Sequence, residues 1–211
     1  MRKFIILSIS VFFIIVAALG AKIIFQDTNK KISSFNSSLK FEEKKDYDKA
    51  IQAILQNYEE NKSSYLYNLR LGWLYYSKGE NAKSKTYYQR AGEIKRNSTE
   101  AMLGLTLPVS KLEDWDLVQS TYQKILKIDP NNFYANLYLG QIYLNKTEYG
   151  KAKDHFEKIY ELNPGSYDAN MNLGWAYYYL GNISGARELF TNVLMLSPND
   201  TLGMKGYELT K

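Results

Sequence analysis

The chain has 211 residues with 19 Tyr, 9 Phe and 3 Trp but only 4 Pro and no Cys, which favours helices rich in ring surface and excludes disulfides, thiolate metal sites and cysteine nucleophiles. Its formal net charge of +5 is local: residues 65–98 carry 7 basic and 2 acidic groups, chiefly through Lys78, Lys83, Lys85, Arg90, Lys95 and Arg96, so no general nucleic-acid surface is implied.

The first element is apolar. After Met1-Arg2-Lys3, residues 4–21 read FIILSISVFFIIVAALGA, with no charge before Lys22. As a helix this run spans roughly 27 Å against a hydrocarbon core of about 30 Å, so it predicts one transmembrane helix within residues 1–25. A cleaved signal peptide is the alternative, because Arg2-Lys3 forms a short positive region and Ala18-Leu19-Gly20 resembles a small-x-small cleavage site. Arg2 and Lys3 favour a cytoplasmic N-terminus and a body outside the cytoplasm, anchored by a single pass or secreted after cleavage, although Lys22, Lys30 and Lys31 oppose that bias. Residues 26–46 are expected to be a juxtamembrane linker with room for a helix near 32–45.

From there on the chain repeats itself every 34 residues. Leu71-Gly72, Leu139-Gly140 and Leu173-Gly174 recur in register, with Leu105-Thr106 in the vacant slot. Three residues later come Tyr75, Val109, Tyr143 and Tyr177; then Ser84, Val118, Ala152 and Ala186; then Tyr88, Tyr122, Phe156 and Phe190; and Arg96, Pro130, Pro164 and Pro198 close each unit. Small residues on facing helices let the pair approach closely while the rings fill the space beside them. The spacing predicts helices near 65–78, 81–95, 99–111, 114–128, 133–146, 149–162, 167–180, 183–196 and 201–210. Pro108 falls inside the third of these, where it removes a bond to the Gly104 carbonyl and is expected to kink the helix or end it early.

This pattern resembles the tetratricopeptide repeat, a family built from antiparallel helix pairs. The resemblance implies an all-α fold, a right-handed superhelical solenoid, here preceded by the transmembrane helix. Units fall at 65–98, 99–132 (degenerate), 133–166 and 167–200, with half a unit at 47–64 and the start of a capping helix at 201–211. One departure is uniform: the tryptophan frequent at the fourth position of the family's unit is replaced by Asn68, Met102, Asn136 and Asn170.

In such repeats the first helix of each pair lines a concave groove. Carried over by register, the groove positions are Leu69, Trp73 and Tyr76; Leu103 and Leu107; Leu137, Gln141 and Leu144; and Met171, Trp175 and Tyr178, with Leu66, Glu100, Ser110, Tyr134 and Asp168 completing the set. Spacings of three and four place each set on one helical face. Family members that clamp a terminal carboxylate use lysine and asparagine where this chain has Leu69 and Trp73, so the resemblance implies apolar anchoring of a peptide instead. The competing reading packs Trp73 and Trp175 against neighbouring units.

No catalytic constellation is present. His155 has no second histidine for a metal, the paired acids Glu42-Glu43, Glu59-Glu60 and Glu113-Asp114 are adjacent and point apart on a helix, and there is no glycine-rich phosphate loop. His155 is expected to be a surface residue. The expectation is therefore a non-enzymatic, membrane-tethered scaffold that needs no cofactor and no nucleic acid and binds a protein or peptide in its groove. The alternative is an extracytoplasmic chaperone or assembly factor for envelope or secreted clients.

Overall fold

The computed structural model describes Lys22 and residues 25–211, and every regular element among them is helical. Helix α1 occupies residues 25–43. It is followed by α2 (Tyr47–Leu55), a short 3-10 turn (Glu59–Asn61), α3 (Tyr65–Lys78) and α4 (Asn81–Ile94). Next come α5 (Thr99–Lys111), α6 (Trp115–Ile128), α7 (Phe133–Asn145), α8 (Tyr149–Leu162), α9 (Tyr167–Tyr179), α10 (Ile183–Leu196) and α11 (Thr201–Leu209). The chain divides into two compact units, Met1–Lys95 and Arg96–Lys211. The expected spanning segment at 4–21 lies outside the described residues; among those that are described, no helix is long and apolar enough to cross a membrane.

Within each unit, consecutive helices pack as antiparallel pairs that stack on one another. The 34-residue period reappears in the backbone. Lys45, Gly79, Glu113, Thr147 and Gly181 all have positive φ, between 57° and 87°. Each ends the first helix of its pair with a left-handed residue, and the amide that follows bonds back to a carbonyl in the last turn, as in Glu80 N to Tyr75 O at 2.8 Å and Glu148 N to Tyr143 O at 2.9 Å. The helix for which the sequence left room near 32–45 is α1, and because Lys45 takes part in the period, α1 forms the first helix of a pair with α2. Ser34 Oγ lies 2.9 Å from Tyr67 Oη, and Phe35 meets Tyr67 edge-on at 5.0 Å, so α1 packs on α3.

The small residues work by permitting close approach. A Cβ on Gly140 would sit 2.4 Å from the Phe156 ring, and one on Gly72 would sit 2.8 Å from Tyr88. Ser84, in the place of alanine, is fully buried and donates to the Gly72 carbonyl at 2.7 Å, which satisfies its hydroxyl. Thr106, in the glycine slot, is also buried and accepts from the Tyr122 hydroxyl at 3.2 Å.

The asparagines in the tryptophan slot have a shared task. Asn68, Asn136 and Asn170 are each fully buried. Their Nδ2 groups donate to two carbonyls of the preceding turn: Lys62 and Ser64 at 2.9 and 2.8 Å, Pro130 and Asn132 at 3.0 Å each, Pro164 and Ser166 at 2.6 and 2.8 Å. Their Oδ1 atoms accept from Tyr58 Oη (2.8 Å) in the turn after α2, His155 Nδ1 (2.9 Å) on α8 and Asn192 Nδ2 (3.0 Å) on α10. Asn136 and Asn170 thus tie the turn before their own helix to the second helix of their pair, α8 and α10, while Asn68 ties its turn back to the segment that follows α2.

Pro108 is buried within α5, which continues to Lys111 rather than stopping at the proline. His155 departs from its expected surface position. It is half-buried, stacks on Tyr143 at 5.6 Å, and gives its Nδ1 proton to Asn136, whose own amide is committed to the two carbonyls. Burial, helped by the Lys158 charge, holds its pKa below the usual histidine value.

Candidate peptide-binding faces

In the first unit, α1 and α3 present the same positions of successive pairs. Leu66 and Trp73 on α3 are exposed (59% and 41%), and so are Ile32 and Leu39, which stand 34 residues before them on α1 (54% and 46%). Leu69 and Tyr76 are half-buried, with the Tyr76 ring 6.0 Å from Trp73. The Trp73 indole donates to Glu42, which also pairs with Arg70, and Arg70 Nε donates to Ser38 at 3.1 Å. This polar chain pins Trp73 at one end of an apolar strip. Ile32, Leu39 and Glu42 went unnoticed in the sequence because Ser38 stands where the landmark glycine is expected; counting 34 residues back from Leu66, Trp73 and Tyr76 would have found them.

In the second unit the expected residues separate by depth. Leu137 (5% exposed) sits in a core with Phe156, Ile159 and Leu173, and Met171 (7%) sits against Phe190 and Val193. Both lie under the surface rather than on it, because at the fifth position of α7 and α9 the neighbouring helices close over the side chain. Leu103, Leu107, Gln141, Leu144, Trp175 and Tyr178 are half-buried, and Gln141 Nε2 reaches Asn172 Oδ1 at 3.3 Å. Trp175 takes part in both packing and surface: its ring meets the buried Phe190 edge-on at 5.1 Å and Tyr178 edge-on at 5.9 Å, and leans on the exposed Tyr179 at 6.0 Å.

Tyr179 in turn stacks on Tyr149 at 4.7 Å, so the aromatic cluster extends from α9 onto the start of α8. Tyr134 and Tyr138 stack on α7 at 6.4 Å, with Tyr138 also stacked on Tyr122 at 5.6 Å; both are exposed, at 55% and 42%. Position-by-position transfer included Tyr134 but missed Tyr138, which is one helical turn further on. Leu202 and Leu209 continue the exposed apolar residues onto α11 (55% and 47%). Tyr177 belongs to the packing: its hydroxyl bonds Glu157 at 2.9 Å, and burial together with that carboxylate pushes its pKa up to about 12.

The basic residues of 65–98 are mostly engaged. Lys78 bridges Asp48 and Glu80, Lys83 pairs with Glu80, Arg90 donates to Tyr58 Oη at 3.1 Å, and Lys95 lies 5.3 Å from the Tyr65 ring centroid. Among the described residues, no cluster of His, Asp and Glu is arranged to hold a metal ion.

Three family models match, each described as a tetratricopeptide repeat, over residues 65–98, 121–154 and 146–203, together more than half of the chain. A relative described as the uncharacterized protein ycf37 of Pyropia yezoensis is 31% identical over 103 residues, covering 44% of this chain and 57% of its own length. The chain thus spans little more than half of that relative. A solved tetratricopeptide repeat protein from Parabacteroides merdae matches with a TM-score of 0.75 at 18% identity, over 86% of this chain and 72% of that one. YrrB, described as a tetratricopeptide repeat protein with an unusual peptide-binding site, matches with a TM-score of 0.69 at 20% identity, over 89% and 97% of the two chains. At these identities the likeness concerns the fold.

Proposed function

Because the chain belongs to the tetratricopeptide repeat family, we propose that it is a membrane-tethered scaffold that binds a polypeptide segment on the first-helix faces of its repeats. The observation that carries this reading is the exposure of large apolar side chains at those faces. Ile32, Leu39, Leu66 and Trp73 in one unit, and Tyr134, Tyr138, Leu202 and Leu209 in the other, remain exposed while the residues beneath them are buried. Aromatic and aliphatic anchors of this kind dominate peptide recognition, and the peptide-binding site of YrrB gives a precedent on a similar fold. The eighteen uncharged residues of 4–21 supply the tether, with the body placed outside the cytoplasm by Arg2 and Lys3.

A photoreactive group at position 175 of the membrane-inserted full chain tests the reading. A scaffold yields one crosslinked polypeptide in stoichiometric amount, lost on Tyr134→Ala with the unfolding transition unchanged. Many unfolded clients would replace the scaffold by a chaperone, and no crosslink at any first-helix position would end the proposal. Labelling residue 211 in intact cells checks the side of the membrane.

A further inference from the structure

Some rings of this protein already hold a cation of their own chain and others do not. Phe41, Tyr65, Tyr75, Tyr87, Tyr143 and Tyr207 each have a lysine or arginine of the same chain within 6.0 Å of the ring centroid. Tyr134, Tyr138, Trp175, Tyr178 and Tyr179, the rings on the first-helix face of the second unit, have no such cation among the described residues. Tyr138 stacks on Tyr122 and Tyr134, and Tyr179 on Tyr149, which uses part of their surface; what remains exposed of Tyr134, Tyr138 and Tyr179 attracts a cation through the ring quadrupole.

The charge of this unit points the same way. Residues 96–211 carry 11 basic and 13 acidic groups, a net −2, whereas 1–95 carry 16 and 9, a net +7. On the face itself, Glu100 and Asp168 take the second position of α5 and α9 and are exposed, and Asp168 has no ion-pair partner among the described residues. The lysine on this face, Lys205, is at the far end on α11.

We propose that the first-helix face of the second unit takes a basic apolar peptide, in which leucine-like residues alternate with lysine or arginine. Its apolar side chains lie against Leu103, Leu107 and Leu144. Its cations lie over the Tyr134–Tyr138 and Trp175–Tyr179 rings and pair with Asp168. This specifies the partner class for the scaffold reading above and rests on it. An acidic segment is disfavoured by Asp168 and the net charge, through desolvation and like-charge repulsion rather than shape.

The test uses the full chain in nanodiscs of zwitterionic lipid, with empty nanodiscs as the blank. Three labelled synthetic peptides share one leucine pattern and differ only in whether the intervening residues are lysine, glutamine or glutamate. Anisotropy is expected to give affinities in the order lysine, glutamine, glutamate, with the lysine form roughly tenfold tighter than the glutamine form and weakened by salt. Asp168→Asn should reduce the lysine preference several-fold and leave the glutamine peptide unchanged, while Tyr138→Ala should weaken both. Equal binding of lysine and glutamine peptides, or a lysine preference untouched by Asp168→Asn, overturns the basic-peptide proposal and leaves the scaffold reading standing. Binding of none of the three overturns both.

Discussion

Residues 133–166 and 99–132 build the same helix pair by different means. In 133–166 the first helix offers Gly140 to Phe156, and Asn136 ties the preceding turn to His155. In 99–132 a buried Thr106 receives the Tyr122 hydroxyl, Met102 stands in the asparagine slot, and Pro108 interrupts the backbone bonding of α5. Both end their first helix on a non-glycine residue with φ of 59°, Thr147 and Glu113. The pair geometry thus tolerates loss of individual landmarks, provided each close approach or buried polar group finds another partner.

The sharpest way to break the comparison is Gly140→Ala. Its Cβ would fall 2.4 Å from Phe156, a ring with no exposure and packed in the core with Leu137, Ile159 and Leu173, so chemical unfolding of the full chain should register a loss of about 3 kcal/mol. Thr106→Ala in the neighbouring pair should cost only about 1 kcal/mol, the worth of one hydrogen bond. Equal losses would show that the two slots pack alike after all.

Next in size is Asn136→Met, which gives the regular pair the residue of the degenerate one. It strands the Pro130 carbonyl and the His155 Nδ1 donor, leaves the Asn132 carbonyl with only the backbone amide of residue 136, and should cost about 2 kcal/mol. Hydrogen exchange should quicken in α7 and at the turn before it, and exchange in α5 and α6 should change less. A uniform change across the second unit would mean that the asparagine does not act locally.

The smallest effect has the opposite sign. Thr147 is β-branched and left-handed, so Thr147→Gly should stabilise by about 1 kcal/mol, while Gly181→Thr should destabilise by a similar amount. A destabilising Thr147→Gly would show that the threonine side chain holds the turn by contacts that outweigh its backbone strain.

Much of the helix architecture was legible in the 34-residue period. Helices expected at 65–78 and 183–196 are observed at Tyr65–Lys78 and Ile183–Leu196, because glycine, aromatic and proline landmarks mark both ends of each pair. Of the first pair only the second half, at 47–64, was legible, with room for a helix near 32–45. Ser38 and Lys62 replace glycine and proline at its landmarks, and the left-handed Lys45 and the packing of α1 on α3 complete the register. The asparagines looked like a departure from a family pattern, since a letter in a tryptophan slot does not say which carbonyls lie within 3 Å of it.

The binding face divides along the same line. Helical periodicity determined which residues share a face, so Trp73, Tyr76, Trp175 and Tyr178 could be grouped from spacing alone. Tertiary packing decided depth: Leu137 and Met171 hold the same repeat position as Leu69, yet neighbouring helices cover them and leave Leu69 half-buried. It also brought Glu42 to Trp73 and set Tyr149 against Tyr179, contacts between residues about 30 apart in sequence that only the stacking of one pair on the next creates. Local spacing fixes direction around a helix axis, whereas burial and pairing depend on what the next helix places opposite.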